Sequence, residues 1–352
     1  MKQYHAIGLM SGTSFDGLDI VYCSFNYNID WEFEIIYSDC IKYNTQWVSK
    51  IKNAQNLNAR ELLILHKDYG TFIGKQVNLF IKKHNITQLN CISSHGHTIF
   101  HEPKNGLTFQ LGSGAAIAAV TNKTVVSDFR TLDVSLGGQG APLVPFGDKL
   151  LFNKYNYCLN LGGIANISFL NKGNRIGGDI TFANMASNFL VAKLGCNYDN
   201  NGSIAASGEV NLKLLMQLNS NSFFQESMPK SLAREDFENW FMPIFKENQE
   251  LTIPNQLATL GVHIAESISK VVSKNKSDVL ITGGGTYNKY WINLLKNNYA
   301  IECIIPQNNI IDFKEALIFA FLGVRRLEKN INILKTVTGA SRDNIGGVIH
   351  FG

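Results

Sequence analysis

Apolar positions at the start of the chain fall in runs rather than at helical spacing. Tyr4 to Met10 is an apolar run, Ser11 to Gly17 a glycine-rich turn, and Leu18 to Phe25 a second apolar run. Together they predict a β-hairpin with an elaborate tip. Trp31 to Tyr37 alternates and predicts a third strand. From Arg60 to His84 the period changes. Leu62, Leu65, Tyr69, Phe72, Ile73 and Phe80 recur at three- and four-residue steps, the mark of an amphipathic helix. Asn90 to Ser94 reads as a short strand ending in a polar cluster, Ser93 to Thr98. Gly112 to Val120 reads as a helix of small residues, and Thr124 to Ser127 as another short strand leading into Asp128, Phe129 and Arg130.

The segment Leu136 to Pro145 (LGGQGAPLVP) breaks the pattern and predicts a domain boundary. Beyond it the opening theme recurs: Tyr157 to Leu161 as a strand, Gly162-Gly163 as a tight turn, Ala165 to Leu170 as the return strand. Two glycine-tipped hairpins make a weak internal repeat, which fits two related lobes. Asn255 to Lys276 carries Leu257, Leu260, Ile264, Ile268 and Val271 on one helical face. Asp278 to Thr282 is a strand running into Gly283-Gly284-Gly285, and Glu315 to Lys329 is the last long helix. Strands and helices are mixed throughout, so the class is α/β.

Composition narrows the function. The chain has 352 residues, 45% of them hydrophobic, enough for substantial cores. Charged residues are 17%, well below the roughly 25% of an average soluble protein, which argues against disorder. A net charge of +4 is too mild for a nucleic-acid or membrane-surface footprint. The most apolar stretch, Ala316 to Val324, is far shorter than the roughly 20 residues of a spanning helix. The opening MKQYHAIGLMSG has no apolar core or cleavage site of a signal peptide. Six cysteines show no CxxC and no Cys/His cluster, so reduced thiols in a cytoplasmic protein are expected, without zinc.

Three predicted strands end in glycine-rich loops: SGTSFDG, LGGIAN and TGGGTYN. Glycine lets the backbone turn sharply and leaves N–H groups exposed. Successive N–H groups form an anion-binding concavity. The hydroxyls of Ser11, Thr13 and Ser14 add donors, and Asp16 and Asp19 set carboxylates beside them. Phosphates with a divalent cation satisfy that arrangement; so do plain tight turns. Neither GxxxxGK[ST] nor a GxGxxG between strand and helix is present, so the usual nucleotide motifs do not apply.

GLMSGTSFDGLD (Gly8 to Asp19) resembles the opening signature of the anhydro-N-acetylmuramic acid kinases, members of the acetate- and sugar-kinase, heat-shock and actin superfamily. SSHGHTIFHEP (Ser93 to Pro103), DFRTLDVSLGGQGAPLVP (Asp128 to Pro145), NLGGIANIS (Asn160 to Ser168), PKSLAREDF (Pro229 to Phe237), TGGGTYN (Thr282 to Asn288), KEALIFAFL (Lys314 to Leu322) and TVTGAS (Thr336 to Ser341) match in order. The resemblance implies a two-lobed, actin-like ATPase fold with a central cleft for ATP, each lobe a mixed sheet flanked by helices. Residues 1–135, completed by 335–352, would form one lobe and 136–334 the other. It implies ATP and Mg2+, a cytoplasmic homodimer in cell-wall recycling, and no nucleic-acid or membrane partner. The implied reaction takes 1,6-anhydro-N-acetylmuramic acid, ATP and water to N-acetylmuramic acid 6-phosphate and ADP.

That reaction needs a base to deprotonate the water attacking the anomeric carbon, with the departing O6 in line with the γ-phosphate. The family's Gly-x-Asp-Thr-Gly-Pro-Gly-Asn block reads here Gly177-Gly178-Asp179-Ile180-Thr181-Phe182-Ala183-Asn184. Asp179 and Asn184 match and the four residues between are replaced. Asp179 is therefore the expected base, the other reading being a cap for a helix near Asn184. Glu315 matches a family carboxylate near the sugar, or is a solvated residue at a helix start. Arg130 matches an arginine suited to clasping the lactyl carboxylate, or pairs with Asp128 or Asp133. His97 and Thr98 are expected at the sugar; His97, which stands where many members have Gln, and His95 read equally as structural histidines. The nucleotide would be held by Gly12, Thr13, Ser14, Asp16, Gly17, Asp19, Gly162, Gly163, Gly283, Gly284 and Gly285, with Asp16 on the metal. The replaced residues 180–183 leave one alternative open, a catalytically weak sensor binding nucleotide or muropeptide.

Overall fold

The computed structural model describes residues 2–12, 15, 17–272 and 278–352. The chain divides into two units, Met1–Leu151 with Phe313–Gly352, and Phe152–Asp312. β1 (Lys2–Ser11), β2 (Gly17–Tyr27), β3 (Trp31–Lys42), β4 (Cys91–Glu102), β5 (Leu107–Leu111) and β6 (Val125–Ser127) belong to the first unit. β7 (Tyr157–Leu161), β8 (Ile164–Asn171), β9 (Asn174–Phe182), β10 (Asp278–Thr282) and β11 (Glu302–Ile304) belong to the second, and β12 (Val348–His350) to the first again.

The first sheet runs β12-β6-β4-β1-β2-β3, with β5 paired to β4; the second runs β11-β10-β7-β8-β9. Each begins as a three-stranded antiparallel meander. Each then grows on the far side of its first strand by two parallel neighbours, β4 and β6 in one, β10 and β11 in the other. The weak sequence repeat of glycine-tipped hairpins thus marks a repeated topology. The α/β class, with two parts each holding a mixed sheet and helices, is as expected from sequence.

Alternation along β1 assigns its residues to two faces. Ile7 and Leu9 enter a core with Tyr69, Ile73, Val77 and Phe80 of the helix Ala59–Lys83. That helix starts in a capping box, Asn58 Oδ1 accepting from the Glu61 N–H at 3.0 Å and Glu61 accepting from the Asn58 N–H at 3.3 Å. Gly8 faces the other way, against the helix Asn308–Leu327, where a Cβ would overlap the Ala316 carbonyl. Phe25 and Phe321 continue that layer with ring centroids 5.3 Å apart. In the second unit, Leu159, Leu161, Ile167 and Phe182 pack with Leu257, Leu260, Ile264 and Ile268 of the helix Ile253–Ser269. No helix among the described residues is long and apolar enough to cross a membrane.

Several expected boundaries move. β4 does not stop at Ser94; it runs on to Glu102, with Gly96 at φ 77° taking up an irregularity inside the polar stretch. The last long helix begins at Asn308, so Glu315 lies inside it rather than at its start. The helix expected to reach Lys276 ends at Ser269, and residues 273–277 lie outside the described residues. The units part at 151/152 and 312/313 rather than at 135/136 and 334/335. The physical reason is a set of ties made by the expected boundary segment. Fully buried Asp133 accepts from the Gly140 N–H (2.8 Å), Thr338 Oγ1 (2.9 Å) and Asn344 Nδ2 (2.7 Å). On the helix Val144–Leu151, Asp148 pairs with Lys314 at 2.7 Å, both side chains buried.

The fit at Gly8 sets a test. Gly8→Ala is expected to lower stability by about 1–3 kcal/mol, as overpacking does, read as a lower midpoint in thermal or denaturant unfolding. An unchanged midpoint would mean that strand and helix can separate without loss.

Candidate active site

In the second unit two of the glycine loops converge on one stretch of backbone. β7 ends at Leu161. A Cβ on Gly283 would overlap the Asn160 side chain and come within 3.0 Å of the Leu161 backbone; a Cβ on Gly285 would lie 2.9 Å from the Leu161 carbonyl. Gly283 also takes φ 82°, which only glycine adopts readily. These two glycines are fixed by close approach. A Cβ on Gly162, Gly163 or Gly284 would make only ordinary contacts, at 3.4 Å or more, and Gly163 and Gly284 are exposed. Asn184 joins the loops: its Nδ2 donates to the Leu161 carbonyl at 2.9 Å and its N–H to the Gly162 carbonyl at 3.1 Å. Exposed backbone donors gathered this way suit a phosphate chain.

Asp179 lies on β9, opposite Asn166 of β8. Its Oδ2 accepts from the Leu232 N–H at 2.8 Å and from Ser231 Oγ at 3.2 Å, and its own N–H donates to the Lys230 carbonyl at 2.8 Å. Burial pushes its pKa up to about 6, and the two donors pull less strongly the other way. Asp179 caps no helix: the helix Asn184–Val191 has Ala183 at its N-cap, without a side-chain bond. Residues 180–182 are strand, and Ile180, Thr181, Phe182 and Ala183 are all buried. Thr181 Oγ1 bonds His263 Nε2 at 2.7 Å, and Phe182 packs against Phe237, Trp240 and Phe241. The replaced residues therefore fill the core instead of forming a loop.

In the first unit, Arg130 and Glu315 are partly buried near one another. Arg130 Nε and Nη2 donate to His95 Nε2 at 3.2 and 2.8 Å, and Nη1 to the Gly140 carbonyl at 2.6 Å. His95 Nδ1 lies 2.9 Å from the Gly96 carbonyl, so the network assigns it a proton on Nδ1 and an accepting Nε2. Burial first, and then Arg130, hold His95 well below its usual pKa, so it stays neutral. The guanidinium keeps one donor on each Nη. Its bonds go to His95 and Gly140, not to Asp128 or Asp133. Burial raises the Glu315 pKa, with Arg130 and then Lys314 opposing.

The remaining expected residues fall as follows. His97 is 2% exposed, its Nδ1 2.9 Å from Ser11 Oγ, which bonds the Tyr43 hydroxyl at 2.7 Å. Burial lowers it to about 4. Thr98 is half-buried on β4 opposite Gln110. Gly12 accepts from the Phe15 N–H at 3.3 Å, and Phe15 takes φ 60°, rare for a bulky residue. Gly17 opens β2 against Ile41, and Asp19 follows it, half-buried. Thr13, Ser14 and Asp16 lie outside the described residues.

Sequence reasoning missed the hydrogen-bonding partners. Ser231 and Leu232 were legible only as part of the PKSLAREDF block, since a backbone N–H leaves no side-chain signal. Asn184 matched without a role. Ala233, where the family often has Gly, has an exposed methyl and donates its N–H to Asp236 at 2.8 Å, so nothing there requires glycine.

The family model for anhydro-N-acetylmuramic acid kinase matches residues 4–352. The anhydro-N-acetylmuramic acid kinase of Francisella tularensis subsp. novicida (strain U112) is 33% identical over 383 residues, covering 100% of both chains. That of Bacillus thuringiensis subsp. konkukian (strain 97-27) is 31% identical over 379 residues, covering 99% of each. Among solved structures, the activator of the 2-hydroxyisocaproyl-CoA dehydratase from Clostridium difficile with bound ADPNP aligns at TM-score 0.43 and 14% identity, over 92% of this chain and 97% of that one. A ROK family glucokinase from Streptomyces griseus in complex with glucose and AMPPNP aligns at TM-score 0.38 and 10% identity, over 90% and 97%. With the family model matching residues 4–352 and a relative 33% identical over the full length, this protein belongs to the anhydro-N-acetylmuramic acid kinase family.

Proposed function

We propose that the protein phosphorylates 1,6-anhydro-N-acetylmuramic acid with ATP while opening its anhydro bridge, giving N-acetylmuramic acid 6-phosphate and ADP in cell-wall recycling. The observation that carries the chemistry is Asp179. A base that works near neutral pH needs a pKa close to it, and burial lifts this carboxyl to about 6 while Leu232 and Ser231 fix its orientation. The carboxylate takes a proton from water. The water oxygen bonds to the anomeric carbon as the bond from that carbon to O6 breaks. O6, gaining that electron pair, attacks the γ-phosphorus, and ADP leaves.

The other roles follow from local chemistry. The backbone of Gly162, Gly163 and Gly284 suits the nucleotide's phosphates, with Gly283 and Gly285 shaping the turn. Gly12, Gly17 and the SGTSFDG sequence around them are assigned to the phosphates on the sequence pattern, Gly17 itself being buried against Ile41. Mg2+ takes one or two carboxylates beside phosphates and water; Asp19 is such a carboxylate at this turn, and Asp16 lies outside the described residues. Arg130, held by His95 and Gly140, has two donors to offer the lactyl carboxylate, and Glu315 and Thr98 suit the sugar hydroxyls. His97 supports this region from within the hydroxyl network of Ser11 and Tyr43. A cytoplasmic homodimer is a further expectation, open to fractionation and sedimentation. The sensor alternative rested on residues 180–183, which pack in the core and leave Asp179 in place.

Three measurements test these roles. Asp179→Asn is expected to cut kcat at least about 1000-fold, the upper range for a general base, with nucleotide binding retained; near wild-type turnover would remove Asp179 from the reaction. In the wild type, kcat/KM is expected to fall as pH drops through about 6, since protonation removes the base. A profile flat down to pH 4.5 would contradict that. Arg130→Lys should raise KM for the sugar about tenfold or more, the worth of one charge-assisted bond, and should leave KM unchanged for an anhydro-sugar lacking the lactyl group. Equal losses on both sugars would rule out a carboxylate clasp.

A further inference from the structure

A pocket of about 340 Å3 opens in the second unit, away from its glycine loops. Small-molecule sites begin at roughly this size. Its lining is mixed: Phe169, Ile176, Ile180, Phe224, Met228 and Val271 supply an apolar part, and Asn171, Ser227 and Ser267 are polar beside it. Its charged groups are unequal, with Lys230 and Lys270 against Glu226. Lys230 Nζ donates to the Phe223 carbonyl at 2.7 Å and sits 4.2 Å from the Phe223 ring centroid, so its ammonium is held in place. Ser267 is 5% exposed, and its hydroxyl has no hydrogen-bond partner among the described residues. A buried hydroxyl left this way forfeits free energy that a bound ligand would restore.

We infer that this pocket binds a small monocarboxylate with an aromatic or branched apolar body. Two ammonium groups against one carboxylate favour one negative charge in the ligand. Glu226 and the apolar walls disfavour a second, which would be desolvated without a partner. The apolar body would cover the phenylalanine and isoleucine walls, and the carboxylate would meet the lysines and the Ser267 hydroxyl.

Occupancy bears on Asp179. Met228 and Lys230 line the pocket and belong to the segment that closes on the carboxyl. The Lys230 carbonyl holds the Asp179 N–H at 2.8 Å, and the next two residues donate to its Oδ2. A Cβ on Gly178 would press on Met228 Sδ and the Lys230 backbone, so strand and segment touch directly. This link to turnover rests on Asp179 being the base; the binding site itself does not.

The test uses the full-length protein with benzoate and neutral benzamide as probes, followed by calorimetry and by tryptophan fluorescence, since the Trp240 ring lies 6.0 Å from Phe224. Saturable benzoate binding is expected, at least about tenfold weaker in Lys270→Gln, as for loss of one charged hydrogen-bond partner, and weaker in Ser267→Ala. Lys270 is exposed, so that variant keeps its fold. Binding is expected to persist with a saturating non-hydrolysable ATP analogue and anhydro-sugar present. Absence of saturable binding, equal affinity for benzamide, wild-type affinity in both variants, or displacement by nucleotide or sugar would each overturn the site. Benzoate binding that leaves kcat unchanged would overturn the link to Asp179. A protein inactive on the anhydro-sugar would defeat the proposed function and leave the binding result standing.

Discussion

The backbone at the end of β7 is the constraint on which the second unit's site rests. Leu161 is fully buried, and two other segments come within contact of it because they lack a side chain or carry the right one. Gly283 and Gly285 approach where any Cβ would collide. Asn184 occupies the Leu161 carbonyl, so the strand end carries no unsatisfied acceptor there. Because β7 is the parallel partner of β10 and the antiparallel partner of β8, both loops leave the same edge of the sheet. The glycines that touch Leu161 therefore fix the turn, and Gly163 and Gly284 lie at its exposed side.

The low charge fraction acquires a physical meaning when each buried charge is followed to its partner. Asp148 and Lys314 neutralise one another at 2.7 Å. Asp133 spends its oxygens on Gly140, Thr338 and Asn344, fastening the chain's last turns to the segment after Arg130. Arg130 hydrogen-bonds a neutral histidine and a carbonyl, which orient the guanidinium, while Glu315 and Asp133 act on its charge through space. A carboxylate-bearing ligand would thus find a positioned cation. Had Asp128 or Asp133 taken that guanidinium, the same residue would be inert toward an anion.

Periodicity made the main helices and the opening hairpin legible, because Leu65, Tyr69, Ile73 and Phe80 really do share a buried face. It missed the length of β4, since Ser93, Ser94, His95 and His97 are polar yet buried, their groups mostly bonded within the protein. It missed the start of the last helix although Ile310, Phe313 and Leu317 stand at helical spacing there, because the polar Asn308, Asn309, Asp312 and Lys314 interrupt the run. The site was legible as motifs and not as geometry. Asp179, Arg130 and Glu315 could be named from their blocks, but the backbone N–H of Leu232, the carbonyl of Gly140 and the tautomer of His95 leave no trace in a one-dimensional pattern.

The substituted residues after Asp179 show how a motif can change while the strand it belongs to stays anchored. A Thr-Gly-Pro-Gly sequence has no large side chain to anchor it. Ile180, Thr181, Phe182 and Ala183 instead bury completely. Phe182 meets Phe237, Trp240 and Phe241, which lie just beyond Leu232 and Ser231, the donors to Asp179. The strand that carries the carboxyl and the segment that orients it are therefore gripped by one aromatic cluster. Thr181 adds a hydrogen bond to His263, whose other nitrogen is 2.7 Å from Asn219 Oδ1, so the ring is bound on both sides. Thr181 and Phe182 thus anchor the strand that carries Asp179, and loosening Phe182 would disturb that anchorage.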